Sequence, residues 1–325
     1  MFPVERALLI INRAAGTGQD DSVTGELALR FNQQMASLRN VRVELVSDHA
    51  AARASAAEFL SESEAQALIV AGGGGGTLRA VIEGVFGSAE RVRVGALRMG
   101  SGNVLARQFG VPREPLRGLE GLLTNLKAGQ IVPCCVMRCE TWTSVGQSEV
   151  HHAVTLGGLG QFGRIPSDLA RWHARFPFLH ERAARAFGIE KLTNIEYALA
   201  FLIRSISCVL FPEKAEFVEI QFQGQTERLR LLSGVVMNFP IKALPFTPDV
   251  RVEDEALAAY LIPLAFRIRR YRIEKNQRLE IRLLDRECVE LFLDEDPVTT
   301  CKRLSLEVAG SIAFVPGPEY RGAAK

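Results

Sequence analysis

The stretch that decides the fold is Ile69-Val-Ala-Gly72-Gly-Gly-Gly-Gly76-Thr77, in which a short apolar run leads directly into five glycines. Such a run is typical of a strand buried on both faces. Leu78–Phe86 follows with helical spacing. A strand, a glycine turn and a helix start form an anion site, because backbone N–H groups can approach phosphate oxygens and the helix dipole favours negative charge. A tight turn without a ligand is the alternative interpretation.

Two further glycine loops follow strand-like runs. Asn12-Arg-Ala-Ala-Gly16-Thr-Gly18 follows Ala7–Ile11, and Gly100-Ser-Gly-Asn103 follows Val92–Leu97. In a parallel sheet all three loops emerge at the carboxyl ends of the strands, which is where ligands bind. The three loops together therefore predict a site for a phosphate-bearing ligand.

The alternation of strand and helix signals in the first half predicts an α/β fold with a Rossmann-like parallel sheet. From about Ile131 onward strand-like runs dominate, which favours an antiparallel β-sandwich. The predicted strands there are Val132–Arg138, Val150–Leu156, Phe217–Phe222, Leu229–Met237, Leu257–Ile262, Arg278–Leu284, Val289–Leu293 and Leu304–Val308. The sequence thus predicts a nucleotide-binding domain at 1–130 and a β-rich domain at 131–325, with a last strand, Ile312–Val315, that fits either domain.

Composition excludes several classes of protein. Of 325 residues, 47% are apolar and 23% are charged, and the net charge of +2 argues against a nucleic-acid partner. The opening MFPVERALLIIN predicts a buried first strand rather than a secretory signal. The apolar run Tyr197–Phe211 is interrupted by Arg204 and is too short for a membrane span. The six cysteines form no short-spaced framework, so reduced thiols in the cytosol are expected.

The three loops resemble the motifs of the diacylglycerol kinase catalytic-domain family, which includes sphingosine kinases, ceramide kinases and bacterial lipid kinases. The family's Asn-Pro-x-Ser/Ala-Gly loop is matched by Asn12, Ala15 and Gly16, with Arg13 in place of proline. Its Gly-Gly-Asp-Gly-Thr motif is matched by Gly73, Gly74, Gly76 and Thr77, with Gly75 in place of aspartate. Its third loop is matched by Gly100, Ser101, Asn103, Ala106 and Arg107, with Arg98 in place of proline.

The resemblance continues in the second half. Gly158-Leu-Gly160 resembles a Gly-x-Gly-Phe-Asp segment, with Gln161 and Phe162 in place of Phe-Asp. Residues 245–257 resemble a Pro-x-Ala-x-x-x-Asp-Gly-x-Leu stretch that retains Asp254. Leu293-Asp-Glu-Asp-Pro297 resembles Leu-Asp-Gly-Glu-Pro, and Pro316 matches a terminal proline. The late segment distinguishes this family from NAD kinases and phosphofructokinases, which share the central glycine motif.

The resemblance implies a lipid kinase that transfers phosphate from ATP, with Mg²⁺, to a hydroxyl of diacylglycerol, a sphingoid base or ceramide. It assigns Asp294 as general base, Asp296 as acidic support and Asp254 as a metal ligand; turn or surface aspartates are the alternative. The nucleotide-binding residues that it implies are Asn12, Gly16, Gly72, Gly73, Gly74, Gly75, Gly76, Thr77, Gly100, Ser101, Gly102 and Asn103.

Gly75 opens an alternative to catalysis, because a glycine has no carboxylate to help hold magnesium. A pseudokinase that binds nucleotide or lipid is therefore the second hypothesis, and an NAD or sugar kinase with a soluble acceptor is the third. Arg79, which stands where the family often has asparagine, is interpreted either as a cation near the phosphates or as a solvated helix residue.

The expected partner is a lipid at a membrane surface, and the expected location is cytoplasmic, peripheral at the inner membrane face. The aromatic and basic helical segment Ser167–Leu210 suits an anionic membrane interface, and a helix pair packed on the sandwich is the alternative. The basic run at Arg267–Arg272 is interpreted as headgroup contacts or a solvated face. Cys134, Cys135 and Cys139 with His151 and His152 match no zinc module, so buried thiols are expected. The sequence leaves open whether the protein forms a homodimer.

Overall fold

The computed structural model describes residues 3–100, 103–176, 178, 189–241, 246–265, 267–294 and 296–322. The chain divides into two compact units. The first consists of Met1–Cys135 and Ser311–Lys325, and the second of Val136–Gly310.

The first unit is built on a parallel sheet. Its strands are β1 (Arg6–Asn12), β2 (Asn40–Val46), β3 (Ala67–Gly73) and β4 (Val92–Arg98). They lie in the order β2-β1-β3-β4, and the end of a later strand, β15 (Arg303–Phe314), pairs in parallel with β4. The helices are α1 (Asp21–Met35), α2 (His49–Ser61), α3 (Gly75–Val85), α4 (Val104–Gln108) and α5 (Pro115–Lys127), with 3₁₀ turns at Gly16–Gln19 and Phe86–Arg91.

The core of this unit follows from the apolar runs that predicted it. Every residue of β1 and β3 is buried, as expected for central strands covered on both faces. Phe31 of α1 and Leu122 of α5 belong to the same buried cluster as Leu9 and Val70. Gly95 in β4 lets Leu122 approach, since a Cβ atom at this position would collide with that side chain. Helix α5 was not predicted from the sequence.

The second unit is rich in antiparallel strands. It contains β5 (Val132–Trp142, which begins in the first unit), β6 (Ser148–Ala153), β7 (Leu156–Gly160), β8 (Glu216–Phe222), β9 (Gln225–Met237), β10 (Ala256–Pro263), β11 (Arg269–Glu274), β12 (Arg278–Leu283), β13 (Cys288–Leu293) and β14 (Asp296–Cys301), and most of β15. Seven strands lie in the order β14-β13-β7-β9-β8-β12-β15, and each neighbouring pair is antiparallel. In addition, β10 pairs with both β9 and β11, and β5 pairs with β6.

Three strand predictions are corrected by the structure. The predicted strand Val150–Leu156 is two strands, because the chain bends between β6 and β7. The predicted strands Leu304–Val308 and Ile312–Val315 are one continuous strand, β15. The basic run Arg267–Arg272 reaches into β11, where two of its arginines have acidic partners: Arg269 binds Glu227 and Arg272 lies 3.3 Å from Asp249.

In the described part of this unit two α-helices interrupt the strands, α6 (Ile165–Arg175) and α7 (Ile189–Leu210). They are antiparallel, since Asp168 near the start of α6 binds Arg204 late in α7 and His173 lies 3.2 Å from Glu196. Among the described residues, no helix is long and apolar enough to cross a membrane.

The expectation that all cysteines are reduced thiols is wrong for one pair. Cys288 and Cys301 are directly opposite each other at the ends of β13 and β14 and form a disulfide. They are 13 residues apart because β13 and β14 form a hairpin. The apolar periodicity of the sequence did not show that this hairpin pairs the two cysteines. Cys134, Cys135 and Cys139 are buried thiols, as expected.

The last described residues pack in the first unit. Phe109 stacks on Phe314 with ring centroids 4.1 Å apart. The Nδ2 atom of Asn125 donates to the carbonyl oxygens of Pro316 and Gly317 at 3.0 and 3.1 Å. The terminal segment is therefore held against α4 and α5.

Candidate functional site: three loops at the carboxyl edge of the parallel sheet

The glycine run is divided between a strand and a helix. Gly72 and Gly73 end β3, Gly74 is the N-cap of α3, and Gly75 is its first residue. The first hydrogen bond of the helix joins the N–H of Leu78 to the carbonyl of Gly74. The N–H groups of the first turn lie outside this ladder, and among the described residues no side chain caps them. They are available as donors to an anion.

The first loop is tied to this run by a buried hydrogen bond. The Nδ2 atom of Asn12 donates to the Oγ1 atom of Thr77 at 3.0 Å. The Oδ1 atom of Asn12 accepts from the N–H of Ala14 at 2.9 Å, which turns the chain after β1. Asn12 therefore fixes its own loop and the first turn of α3 together.

The third loop closes on the same place. The N–H groups of Met99 and Gly100 donate to the carbonyl of Gly73 at 3.2 and 3.1 Å. A Cβ atom at Gly100 would collide with Gly74, and one at Gly16, whose φ is +33°, would collide with Met99. These positions need glycine because the backbones touch. The structure thus brings Asn12, Gly16, Gly72–Thr77 and Gly100 together.

Asn103 completes this loop, with a left-handed φ of +48° at the start of α4. Its Oδ1 atom accepts from the N–H of Gly100 at 3.3 Å, and its Nδ2 atom donates to the carbonyl of the same residue. Ser101 and Gly102, also predicted to bind nucleotide, lie outside the described residues.

A small cavity opens beside the loops, of about 10 Å³, which is room for about one water molecule. It is lined by Gly73, Gly74 and Gly75 together with apolar residues of β4 and α4 and with Asn103. A phosphate oxygen fits the scale of such a cradle, whereas a nucleoside does not.

The donor set of these loops does not fit magnesium. Residues 12–19, 72–77 and 98–103 contain no aspartate or glutamate, and Mg²⁺ prefers carboxylate oxygens. Asp20 and Asp48, which follow β1 and β2, serve as N-caps of α1 and α2. Among the described residues, no group of three or more His, Cys, Asp or Glu could hold a metal ion. A Cβ atom on Gly75 would meet no described atom within 4 Å, so no described side chain takes the place of the missing carboxylate there.

Arg79 is not a solvated helix residue, contrary to that sequence-based interpretation. It is buried on α3, and its guanidinium lies 2.9 Å from Glu83, one turn later. The interpretation failed because α3 is buried on nearly every side, from Gly76 to Ile82. The charge of Arg79 is balanced within the helix.

Asp294 is a buried anchor of the second unit. Its Oδ2 atom accepts from the N–H of Val154 at 2.6 Å, and its Oδ1 atom accepts from Thr155 and Leu156 at 2.8 and 2.9 Å. Its own N–H donates to the carbonyl of Leu156 at 2.9 Å. With a φ of +48°, it turns the chain after β13 and holds the start of β7. These contacts give Asp294 a structural role, and the base role that the family resemblance implies stays a prediction.

The other predicted acidic residues occupy turns or strand ends. Asp254 accepts from the N–H of Arg251 at 2.9 Å, and its own N–H donates to the carbonyl of Arg251. Asp296 begins β14, opposite Leu293. Neither position gathers further carboxylates into a described metal cluster.

Two groups were missed by sequence reasoning. The imidazole of His49 lies against Gly76, where a Cβ atom would collide with it. The position of His49 just after β2, at the same edge of the sheet as the loops, is the sequence feature that could have identified it. Glu216 is buried beside Arg164, 3.0 Å away. Burial raises the pKa of Glu216 to about 7 although the Arg164 guanidinium opposes the shift. A polar residue at a strand start gave no hint of this burial.

Comparison with known proteins supports the class defined by this fold and these loops. Residues 6–139 match the family model described as diacylglycerol kinase catalytic domain. That match contains all three loops and confirms the resemblance seen in the motifs. No curated relative matches the sequence.

Solved structures show a similar fold over 98% of the chain. A candidate diacylglycerol kinase from Bacillus anthracis str. Sterne is 16% identical with a TM-score of 0.68, and 98% of each chain is covered. A second structure so described, from the same organism, is 17% identical with a TM-score of 0.66, covering 98% of this chain and all of that one. A third, described as a diacylglycerol kinase from the same organism, is 16% identical with a TM-score of 0.61, covering 98% of this chain and all of that one. Together they show a mixed α/β fold with a parallel N-terminal sheet and a later antiparallel region.

Proposed function

We propose that the protein is an ATP-dependent lipid kinase that phosphorylates a hydroxyl of a lipid such as diacylglycerol, a sphingoid base or ceramide. The observation that carries the proposal is the convergence of three glycine loops at one sheet edge, inside the segment that matches the kinase family model. Backbone donors at a helix N-terminus are suited to phosphate.

Phosphoryl transfer depends mainly on positioning and on stabilising the charge of the transferred group. The N–H groups of the first turn of α3 supply donors, while Asn12 and Asn103 hold the neighbouring loops in place. Asp294 takes or orients the proton of the acceptor hydroxyl, and Asp296 supplies nearby negative charge. Both roles rest on the resemblance of residues 293–297 to the family motif.

The lipid side of the proposal rests on α7. Its outward face is a continuous apolar stripe, in which each side chain is about half exposed or more: Ile195, Leu199, Leu202, Ile203, Ile206, Val209 and Leu210. Its inward face makes polar contacts with the rest of the unit, since Arg204 binds Asp168 and donates to the Oε1 atom of Gln161 at 2.9 Å. A helix with its apolar side outward suits an apolar medium.

Cations flank this apolar stripe at both ends of the helix pair. The guanidinium of Arg175 lies 5.6 Å from the ring centre of Phe176, and the ammonium of Lys214 lies 4.5 Å from that of Phe211. Both aromatic rings are exposed. Paired aromatic and basic side chains favour the headgroup region of an anionic membrane. We therefore place the protein at a membrane surface, where its lipid substrate lies.

Gly75 favours a second candidate function, a protein that binds nucleotide or lipid without turnover. A lost electrostatic group in a catalytic site costs about 10²–10³ in rate. In that case ATP or lipid raises the melting temperature, because a ligand of the native state stabilises it, while no product forms.

The test is transfer of labelled γ-phosphate from ATP to diacylglycerol, sphingosine and ceramide in mixed micelles, with and without magnesium. A labelled lipid product supports the kinase. Thermal stabilisation by ATP without any product supports the binding protein. Labelling of a soluble acceptor such as NAD or a sugar, with none of the lipids labelled, overturns the lipid assignment.

A further inference from the structure

The three loops carry arginines and no carboxylates. Arg13 directly follows β1 and Arg98 ends β4, whereas residues 12–19, 72–77 and 98–103 lack aspartate and glutamate. The side chains of the loops therefore add two positive charges to a place where the first turn of α3 already favours an anion.

Arg98 lies beside the glycine run on the neighbouring strand. It is the strand partner of Gly73 in the parallel pairing of β3 and β4, and it is half-buried. A planar guanidinium at this point matches the bidentate geometry of phosphate oxygens.

Arg13 is bound weakly enough by its own partner to contact the same phosphate groups as Arg98. The Nη2 atom of Arg13 lies 2.6 Å from Asp21, but the two side chains are 48% and 81% exposed. An ion pair so exposed contributes little to stability, so exchanging Asp21 for a phosphate costs little.

The acidic residues around the loops have other partners. Asp20 and Asp48 accept hydrogen bonds from the first turns of α1 and α2. Glu83 is balanced by Arg79. The loop side chains with a charge opposite to that of a phosphate group are therefore arginines, and they lie beside the backbone N–H groups of α3.

We propose that Arg98 and Arg13 contact the nucleotide phosphates and that ATP consequently binds to these loops without a divalent cation. This rests on the proposed function for the identity of the ligand, and it concerns binding rather than turnover. Free ATP is the species that the loops select, since its phosphate charges are not shared with magnesium.

The first experiment is titration calorimetry of the whole protein with ATP in EDTA and again in excess MgCl₂. We expect ATP to bind in EDTA at least as tightly as in magnesium, allowing about twofold for the difference between the two measurements. An affinity that rises more than about tenfold on adding magnesium overturns the proposal and leaves the kinase assignment intact. Absence of ATP binding in both buffers overturns both.

Two arginine substitutions in β4 test the role of Arg98 against a matched control. Arg98→Gln is expected to weaken binding of ATP in EDTA by about tenfold or more, whereas Arg93→Gln, on the same strand near its other end, leaves the affinity within about twofold. Equal effects of the two changes contradict the assignment of Arg98. Melting curves confirm that each variant is folded.

Gly75→Asp tests the same account in the opposite direction. The added side chain has open space, and its negative charge beside the phosphates should make ATP binding depend on magnesium by about tenfold or more. If Gly75→Asp binds ATP equally well in EDTA and in magnesium, electrostatics at these loops do not govern binding and the proposal fails.

Discussion

The Nδ2 atom of Asn12 lies 3.0 Å from the Oγ1 atom of Thr77, and both residues are buried. This hydrogen bond spans 65 positions in sequence and joins the loop after β1 to the helix that starts in the glycine run. It holds two of the three loops in one arrangement before any ligand is present.

Replacing Asn12 by alanine is expected to lower the free energy of unfolding by about 1–3 kcal/mol, because the change leaves a buried hydroxyl without its donor. ATP affinity should fall as well, since the first turn of α3 loses its support. Chemical denaturation and calorimetry measure the two effects. Asn32→Ala, on the exposed surface of α1, is the control, and an equal loss there would contradict the role of the bond.

Gly75→Asp is expected to raise lipid-kinase turnover in magnesium by about tenfold or more, because it restores a carboxylate at the start of α3. The position is sterically open, so the fold should be unaffected. Initial rates with saturating ATP measure the gain. Gly87→Asp, at another open glycine, should leave the rate unchanged. No gain with Gly75→Asp favours the non-catalytic binding protein.

Asp294→Asn is expected to destabilise the second unit by about 1–3 kcal/mol, because a charged acceptor of three backbone hydrogen bonds is replaced by a neutral amide. Asp254→Asn is the matched control, since that carboxylate accepts one described backbone bond in an exposed turn. Urea denaturation compares the two variants. If both lose the same stability, Asp294 is not the anchor that the geometry indicates.

Glu216 is expected to make the protein less stable as the pH rises from about 4.5 to about 7. Its pKa is raised to about 7 in the folded state from 4.5, so between these values the folded state binds more protons than the unfolded state, and stability falls with rising pH. The full contribution is about 3 kcal/mol at most.

Unfolding free energies at pH 5 and pH 8 test this expectation. The decrease between them should be smaller in Glu216→Gln than in the natural protein, while Glu213→Gln, at a nearby exposed position, should show the natural decrease. An unchanged pH dependence in Glu216→Gln contradicts the assignment.

Leu202→Glu with Ile206→Glu is expected to weaken binding to anionic phospholipid vesicles by about tenfold or more, because each apolar side chain contributes about 1.5–3 kcal/mol when it leaves water. Vesicle sedimentation measures the loss. Leu29→Glu, at an equally exposed leucine of α1, is the control. If the natural protein instead forms a dimer that the double change dissociates, α7 contacts a second copy rather than a membrane.

The sequence predicted the central strands and most helices because apolar runs and glycine loops determine them locally. It did not predict that the glycine run is half strand and half helix, since glycine has little preference for either. It also missed the anchoring role of Asp294, whose partners lie about 140 residues away, and the burial of Arg79, because helical spacing does not show that a helix is covered on nearly every side.

The central claim, that the glycine loops support phosphorylation of a lipid, is tested most directly by comparing lipid phosphorylation in the natural protein and in Gly73→Ala. The Cβ atom added in Gly73→Ala would collide with Thr77. The account predicts a phosphorylated product from diacylglycerol, sphingosine or ceramide with the natural protein and with Gly25→Ala, an open position in α1, and a loss of about tenfold or more in Gly73→Ala. A folded natural protein that phosphorylates none of these lipids, or a Gly73→Ala variant with undiminished rate, would contradict it.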